Sequence, residues 1–93
     1  MTTVFVNLPA PLRKYANGLS QIKVDAVTVL EALLQLNKLD PSMTERLLET
    51  DHSQPKKFIK IYLDGKDIRK IGGLSIEVKD MNKLDIVTAF AGG

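Results

Sequence analysis

The side chains that usually carry catalysis or bind metals are few in this sequence, and their spacing fits neither task. His52 is the single histidine and lies in a polar stretch with no marked serine partner, so we interpret it as a loop residue. The aspartates are scattered without the spacing of a calcium loop, which predicts a solvated surface. Gly65-Lys66 and Gly72-Gly73 match no phosphate-binding motif and are interpreted as turns. We therefore expect neither a catalytic side chain nor a metal site on this chain.

The end of the sequence offers a different kind of chemistry, because a run of apolar and β-branched residues gives way abruptly to Ala91-Gly92-Gly93. A frayed terminus is the ordinary interpretation of two final glycines. However, an enzyme that uses a main-chain carboxylate as an acyl donor must bind the approach segment in a narrow channel. Glycine lets the backbone pass where any Cβ would clash. The sequence therefore indicates a flexible tail, residues 90–93, whose reactive group is the carboxylate of Gly93.

The composition is that of one ordinary globular domain and narrows the classes of function. The chain has 93 residues, of which 44% are apolar and 26% charged, so we expect a single domain over residues 1–93. The absence of cysteine excludes a disulfide framework, a thiolate zinc site and a cysteine nucleophile, and the default expectation is a cytoplasmic protein. No run approaches the roughly 18 apolar residues of a membrane span, so no membrane contact is expected.

Nucleic-acid binding is not expected, although the formal charge is +2 from 13 basic and 11 acidic residues. Proteins that bind nucleic acids usually concentrate their basic residues and interleave them with aromatic side chains. The nearest match in this chain combines Lys56, Lys57 and Lys60 with Phe58 and Tyr62. Alternation along a strand would place these side chains on a charged, partly solvated face, which is the interpretation we prefer.

Strands that would position the tail are predicted from period-2 alternation and turn signals. The first strand ends at Pro9, and a second extended run after Gly18 forms a hairpin with it. The clearest strand spans residues 58–63. Asp64-Gly65 then predicts a two-residue turn into a returning strand over 66–69, because both turn positions must adopt positive φ. After a turn over 80–83, the last strand spans 84–89.

Two helices are predicted between the second and third strands. Thr28 and Glu31 form a capping box that starts a helix, which runs to about Leu39 and is stopped by Asp40-Pro41. Ser42 and Glu45 repeat the capping pattern ahead of a short second helix. One mixed sheet packed on the long helix is the economical way to bury the apolar faces.

Short motifs along nearly the whole chain match a known group of small proteins. They are Leu8-Pro9, Leu12-Arg13, Thr28-Val29, Glu45-Arg46-Leu47, Phe58 to Tyr62, Asp67-Ile68-Arg69, Gly72-Gly73-Leu74 and Ala91-Gly92-Gly93. On these residues the chain resembles the ubiquitin-like sulfur carriers: the small subunit of molybdopterin synthase, the thiamin sulfur carrier and the CysO-type carriers of cysteine biosynthesis. The segments 45–57 and 67–74 look most like the CysO type. Carriers often have proline near positions 88 and 89, where this chain has Thr88-Ala89.

The resemblance implies an α+β fold of the β-grasp type, with a mixed sheet of four to five strands on one long helix plus a short second helix. It also implies that an activating enzyme related to ubiquitin-activating enzymes adenylates the Gly93 carboxylate and recognises the tail through Phe90, Ala91 and Gly92. Sulfur from a donor protein would replace AMP, and a downstream synthase would accept it. ATP and, in the CysO type, pyridoxal phosphate would belong to these partners. The chain itself would be neither an enzyme nor a cofactor-binding protein.

Other functions remain open at this point. The chain also fits the small subunit of molybdopterin synthase, or a protein modifier joined through Gly93 to lysines of its targets. These two share activation chemistry with the carrier and differ in the acceptor that follows. An interaction domain with an inert tail is a further interpretation.

A docking surface for the activating enzyme is expected on the outer face of the sheet. The isoleucines and the final leucine of the strand over 58–63 fit the core, so Phe58, Lys60 and Tyr62 must point the other way. The same alternation places Phe5 and Val87 on the outer face. We call these five residues the outer-face patch. Aromatic anchors with lysines on their rim are typical of such surfaces.

Overall fold

Five strands form one mixed sheet in the computed structural model, which describes residues 2–88. The strands are β1 Thr3–Asn7, β2 Gln21–Asp25, β3 Ile59–Leu63, β4 Lys66–Asp67 and β5 Asn82–Thr88. Their order across the sheet is β2-β1-β5-β3-β4. The β1–β5 pair is parallel, and the other neighbouring strands are antiparallel. The arrangement confirms the predicted mixed sheet and its first hairpin.

Alternation along the strands separates a core face from an outer face, as the sequence predicted. Val4 and Val6 of β1 are fully buried, and the inward residues of β5 are Leu84 and Ile86. β3 contributes its two isoleucines and Leu63 to the same core. Branched side chains fit this pleated, half-buried surface well, which is why these segments form strands.

The helical layer covers the core face. α1 spans Val29–Gln35 and continues as a 3-10 helix over Leu36–Lys38, so helical structure ends one residue before the predicted Leu39. The hydroxyl of Thr28 accepts a hydrogen bond from the Glu31 amide at 3.1 Å, which confirms the predicted start. A second 3-10 helix over Ala10–Ala16 connects β1 to β2. α2 follows at Met43–Leu47.

The start of α2 differs from the prediction. Ser42 makes no capping bond through its side chain, because its backbone is already helical with φ −81° and ψ −7°. The side chain of Asp40 instead forms a turn ahead of the helix: its carboxylate accepts from the Ser42 amide at 2.8 Å and from the Ser42 hydroxyl at 2.6 Å. Asn37 accepts from the amide of Thr44 at 3.2 Å. The predicted side-chain cap at Ser42 was therefore wrong, although the predicted short helix is present.

The second hairpin confirms the predicted turn and shortens the predicted strand. Asp64 and Gly65 have φ of 48° and 87°, as a two-residue turn of this type requires. β4 then ends after two residues instead of extending over 66–69. The reason is Ile68, which begins a 3-10 helix over Ile68–Lys70 and is fully buried. An exposed edge strand gives way here to a buried apolar contact.

Two further boundaries differ from the prediction. β2 begins at Gln21, and Leu19 precedes it with half of its surface exposed. β5 begins at Asn82 rather than residue 84, because the turn before it is tighter than expected and has Met81 at φ 70°. The predicted last strand position, residue 89, lies outside the described residues.

The turn formed by Asp40 predicts a pH-dependent contribution to stability. The hydroxyl and amide of Ser42, and then the charge of Arg46, hold the pKa of Asp40 below its ordinary value. A lowered folded-state pKa stabilises the protein above the unfolded value of about 3.9, and this stabilisation is lost as pH falls through the folded value. We expect Asp40→Asn, which keeps an acceptor oxygen but not the charge, to lower the free energy of unfolding at pH 7. Urea unfolding over a pH series should show that the difference in free energy of unfolding between wild type and variant decreases in acid. If the same difference remained at pH 2, the charge of Asp40 would not be its cause.

Candidate functional site

The strand that leads to the predicted tail is held on both sides. β5 lies between β1 and β3, and its last residue, Thr88, is paired with Ile59. Five residues follow in the sequence. The predicted tail residues Phe90, Ala91, Gly92 and Gly93 lie outside the described residues. The described part of the chain ends at Thr88 in this central strand, and we call this position the departure point of the predicted tail.

Three members of the outer-face patch gather at this position. Lys60 is the cross-strand partner of Val87, and Phe58 directly precedes the residue paired with Thr88. Phe58 is 52% exposed and Val87 41% exposed, which places both on the surface as predicted. The ammonium group of Lys57 lies 5.7 Å from the centroid of the Phe58 ring. An apolar surface with a cationic rim therefore adjoins the departure point of the tail.

The other two members lie farther from the tail. Phe5 is flanked by Lys23 on β2 and Lys83 on β5. Along β5, Lys83 and Val87 are four residues apart, or roughly 13 Å at the rise of a strand. Tyr62 occupies the intervening row, half-buried, with Asp85 as its cross-strand partner. The structure thus brings together Phe58, Lys60 and Val87, and separates Phe5 from them.

The opposite side of the tail's departure point carries a groove that the sequence did not predict. We call it the tail-base groove, and its main lining residues are Lys14, Tyr15, Glu45, Arg46, Lys56 and Thr88. The guanidinium carbon of Arg46 lies 4.0 Å from the centroid of the Tyr15 ring, and the Lys14 ammonium lies 5.2 Å from it. Buried Leu12 and Ile59 also line the groove. Sequence reasoning missed the groove because the 3-10 helix over Ala10–Ala16, α2, the loop before β3, and the strands β3 and β5 supply its residues from distant parts of the sequence.

Residues considered for other chemistry are not assembled into a site. Within residues 2–88, no group of three or more acidic or histidine side chains is placed to hold a metal ion. His52 is exposed in the loop after α2, with φ of 58°. Among the helices of the same part of the chain, none is long and apolar enough to cross a membrane.

Comparison with known families decides the relationship, because the sequence model of the ThiS family matches residues 6–93. This chain belongs to the ThiS family. The sulfur carrier protein CysO of Mycobacterium tuberculosis is 31% identical to this chain. The alignment has 93 positions, including gaps, and covers 97% of this chain and 98% of CysO.

Solved structures of ThiS-like, ubiquitin-like proteins share the fold. A chain in the crystal structure of the BexX/CysO complex of Amycolatopsis orientalis has a TM-score of 0.88 at 33% identity, covering 97% of this chain and 99% of that one. Small archaeal modifier protein 1 of Methanosarcina acetivorans has a TM-score of 0.81 at 28% identity, covering 100% and 98%. These similarities confirm the predicted α+β, β-grasp fold and the resemblance to ubiquitin-like sulfur carriers.

The division of the outer-face patch leads to a binding prediction. We expect Phe58→Ala to weaken binding to a cognate activating enzyme by about 1 to 2 kcal/mol, because an aromatic anchor near the tail would be buried in the complex. Tyr62→Ala should have a similar direction of effect, and Phe5→Ala a smaller one. The melting temperature should change little for Phe58→Ala, since that side chain is 52% exposed.

Isothermal titration calorimetry with a non-hydrolysable ATP analogue present would measure how much each variant weakens binding to the activating enzyme. Val27→Ala is a matched control, because Val27 is 58% exposed and precedes α1 rather than lying on the sheet. Equal losses for Val27→Ala and Phe58→Ala would show that the outer-face patch has no special role.

Proposed function

We propose that this sulfur carrier of the ThiS and CysO type accepts sulfur on the carboxyl group of Gly93 and delivers it to a biosynthetic enzyme. The observation that carries the proposal is the match to the ThiS family, which extends through Gly92-Gly93 to residue 93. The similarity to CysO of M. tuberculosis over 97% of this chain supports it. So does the central position of β5, whose last described residue, Thr88, is paired with Ile59 of β3.

The chemistry begins with activation, because a free carboxylate is a poor acyl donor. In the proposed reaction a Gly93 carboxylate oxygen attacks the α-phosphorus of ATP, and pyrophosphate leaves. The resulting acyl adenylate has AMP as its leaving group. The terminal sulfur of a persulfide on a donor protein attacks the acyl carbon and AMP departs, which gives an acyl disulfide. A second thiol on a partner then attacks the donor's sulfur and breaks the sulfur–sulfur bond, leaving a thiocarboxylate on Gly93 and a disulfide between the donor's sulfur and that thiol. These steps use groups on the partner enzymes, so this chain would act as carrier and substrate, without a cofactor of its own.

The fold limits where a partner must bind. Five residues of fully extended chain span at most about 17 Å, so the activating site has to come within that distance of Thr88. Any enzyme that takes the tail therefore covers the surface around the end of β5. The position of this surface supports a docking role for Phe58, Lys60 and Val87, which are exposed or half-buried and lie next to the Ile59–Thr88 pair on the outer face.

The similarity to CysO proteins favours cysteine or a related amino acid as the product that receives the sulfur. A pyridoxal-phosphate enzyme would then be the downstream synthase, acting in the cytoplasm. A second candidate is protein modification through Gly93, favoured by the 28% identity to small archaeal modifier protein 1 over this whole chain. The two functions share adenylation and differ in whether a sulfur nucleophile or a lysine amine attacks the acyl carbon.

Mass spectrometry tests the loading reaction directly. We expect purified protein, given a cognate activating enzyme, ATP and a sulfur donor, to gain the mass difference between one sulfur and one oxygen. Tandem fragmentation should place that change on Gly93. Omitting ATP is the control and should leave the mass unchanged. If an active cognate enzyme yields neither adenylate nor thiocarboxylate, the proposed function is wrong.

A change in tail length provides an independent test. Deleting Gly93, or adding one residue after it, should abolish loading because the acyl carbon no longer reaches the same position in the partner's channel. The melting temperature should stay nearly constant, since terminal residues outside a core contribute little to stability. The same one-residue addition at the N-terminus serves as a matched control and should leave loading intact. A large loss of stability on deletion would show instead that the tail is packed against the domain.

A further inference from the structure

The tail-base groove concentrates positive charge that has no role in the loading reaction proposed above. Its lining carries three cationic residues, Lys14, Arg46 and Lys56, against one carboxylate, Glu45. The chain as a whole has a formal charge of only +2. All four of these side chains are exposed, while buried Leu12 and Ile59 provide apolar surface beneath them. A binding partner that fits this surface has negative charge together with an apolar portion.

Arg46 is held in place before any partner arrives. Its guanidinium stacks on the Tyr15 ring at 4.0 Å, and its Nε donates to the Ser42 hydroxyl at 3.4 Å. The charge of Arg46 is also near enough to Asp40 to lower the pKa of that carboxyl. An arginine that is already oriented loses less conformational freedom when its remaining N–H groups bind a carboxylate. Tyr15 is half-buried, so its ring also presents an amphipathic contact surface.

The location of the groove indicates which partner would occupy it. Thr88 belongs to its lining and is the last residue of β5. Since the tail reaches at most about 17 Å beyond this residue, the enzyme that takes up the tail must cover the groove or its rim. The outer-face patch lies on the opposite side of the sheet, so the groove would contact a different part of the same partner.

We propose that the tail-base groove binds an acidic segment of the activating enzyme, with a carboxylate between Lys14, Arg46 and Lys56 and an apolar side chain against Tyr15. The inference rests on the proposed function and adds the chemistry of the partner surface. Opposite charges at this position accelerate encounter and fix the orientation of the carrier. Because the cations are exposed, the contact weakens as salt screens it.

The test is a kinetic assay of pyrophosphate release by a cognate activating enzyme at varied concentrations of the carrier. The double variant Lys14→Glu/Lys56→Glu should raise KM for the carrier about tenfold or more at low salt and leave kcat nearly unchanged. The increase in KM should become smaller as salt is added.

The matched control is Lys38→Glu/Lys79→Glu, which changes the charge equally at exposed positions outside the groove. Lys79 precedes β5 and so lies near the end of that strand remote from Thr88. Melting temperatures of both variants verify folding.

The possible results separate the groove from the proposed function. If wild-type carrier is adenylated and the two double variants have equal KM values, the groove proposal is overturned and the function stands. A lower KM for the groove variant also overturns it, because the cations would then hold something that competes with the partner, such as the carrier's own carboxylate. A change in kcat alone overturns it too. If an active enzyme does not adenylate wild-type carrier, both proposals fail. Restored KM on replacing acidic residues of the enzyme with lysine would confirm the pairing.

Discussion

The central position of β5, bonded to β1 on one side and β3 on the other, is the constraint on which the rest of the structure depends. As the last strand of the chain, β5 pairs in parallel with the first strand, and the paired residues are Val4–Asn7 and Asn82–Asp85. Leu84 and Ile86 anchor the strand in the core. Removing β5 would expose two strand edges and open the core, so the segment that leads to the tail cannot be released without cost to the whole domain.

The beginning of β5 is fixed by polar contacts as firmly as its middle is fixed by apolar ones. The Asp64 carboxylate accepts from the Lys83 amide at 2.9 Å and from the Asn82 side chain at 2.6 Å. Asn82 in turn accepts from the amide of Lys79 at 2.6 Å. The turn residue that permits the second hairpin therefore also determines where β5 starts. With its start fixed, β5 pairs with β1 over Asn82–Asp85 and with β3 over Leu84–Thr88, and the position of Thr88 follows from this register.

The local sequence pattern was sufficient to predict much of the fold, but it was insufficient to predict which residues meet at the candidate site. Period-2 alternation placed Ile61 in the core and Lys60 outside it, and the Asp64-Gly65 signal gave the correct turn, because these features depend only on neighbouring residues. The length of β4 depended on burial of Ile68, and the side-chain cap of α2 on Asn37, which lies seven residues before Thr44, the residue whose amide it accepts from. Pattern also placed Phe5 and Val87 on one face, but their separation follows from the β1–β5 register, which involves residues nearly eighty positions apart. Tyr15 and Arg46 meet only after the sheet and α2 are packed.

Two unlike surfaces flank the base of the tail, and their difference has a consequence for how a carrier works. An apolar anchor such as Phe58 would contribute mainly to the lifetime of the proposed complex, because it would be desolvated only after docking. Exposed cations such as Lys14 and Lys56 would act chiefly on the rate of encounter and on orientation. A carrier must bind an activating enzyme and then leave it, loaded, for an acceptor. Fast, oriented association through charge, combined with a small apolar anchor, gives specific recognition without a long-lived complex, whereas a large apolar interface would retain the loaded protein on the enzyme that activated it.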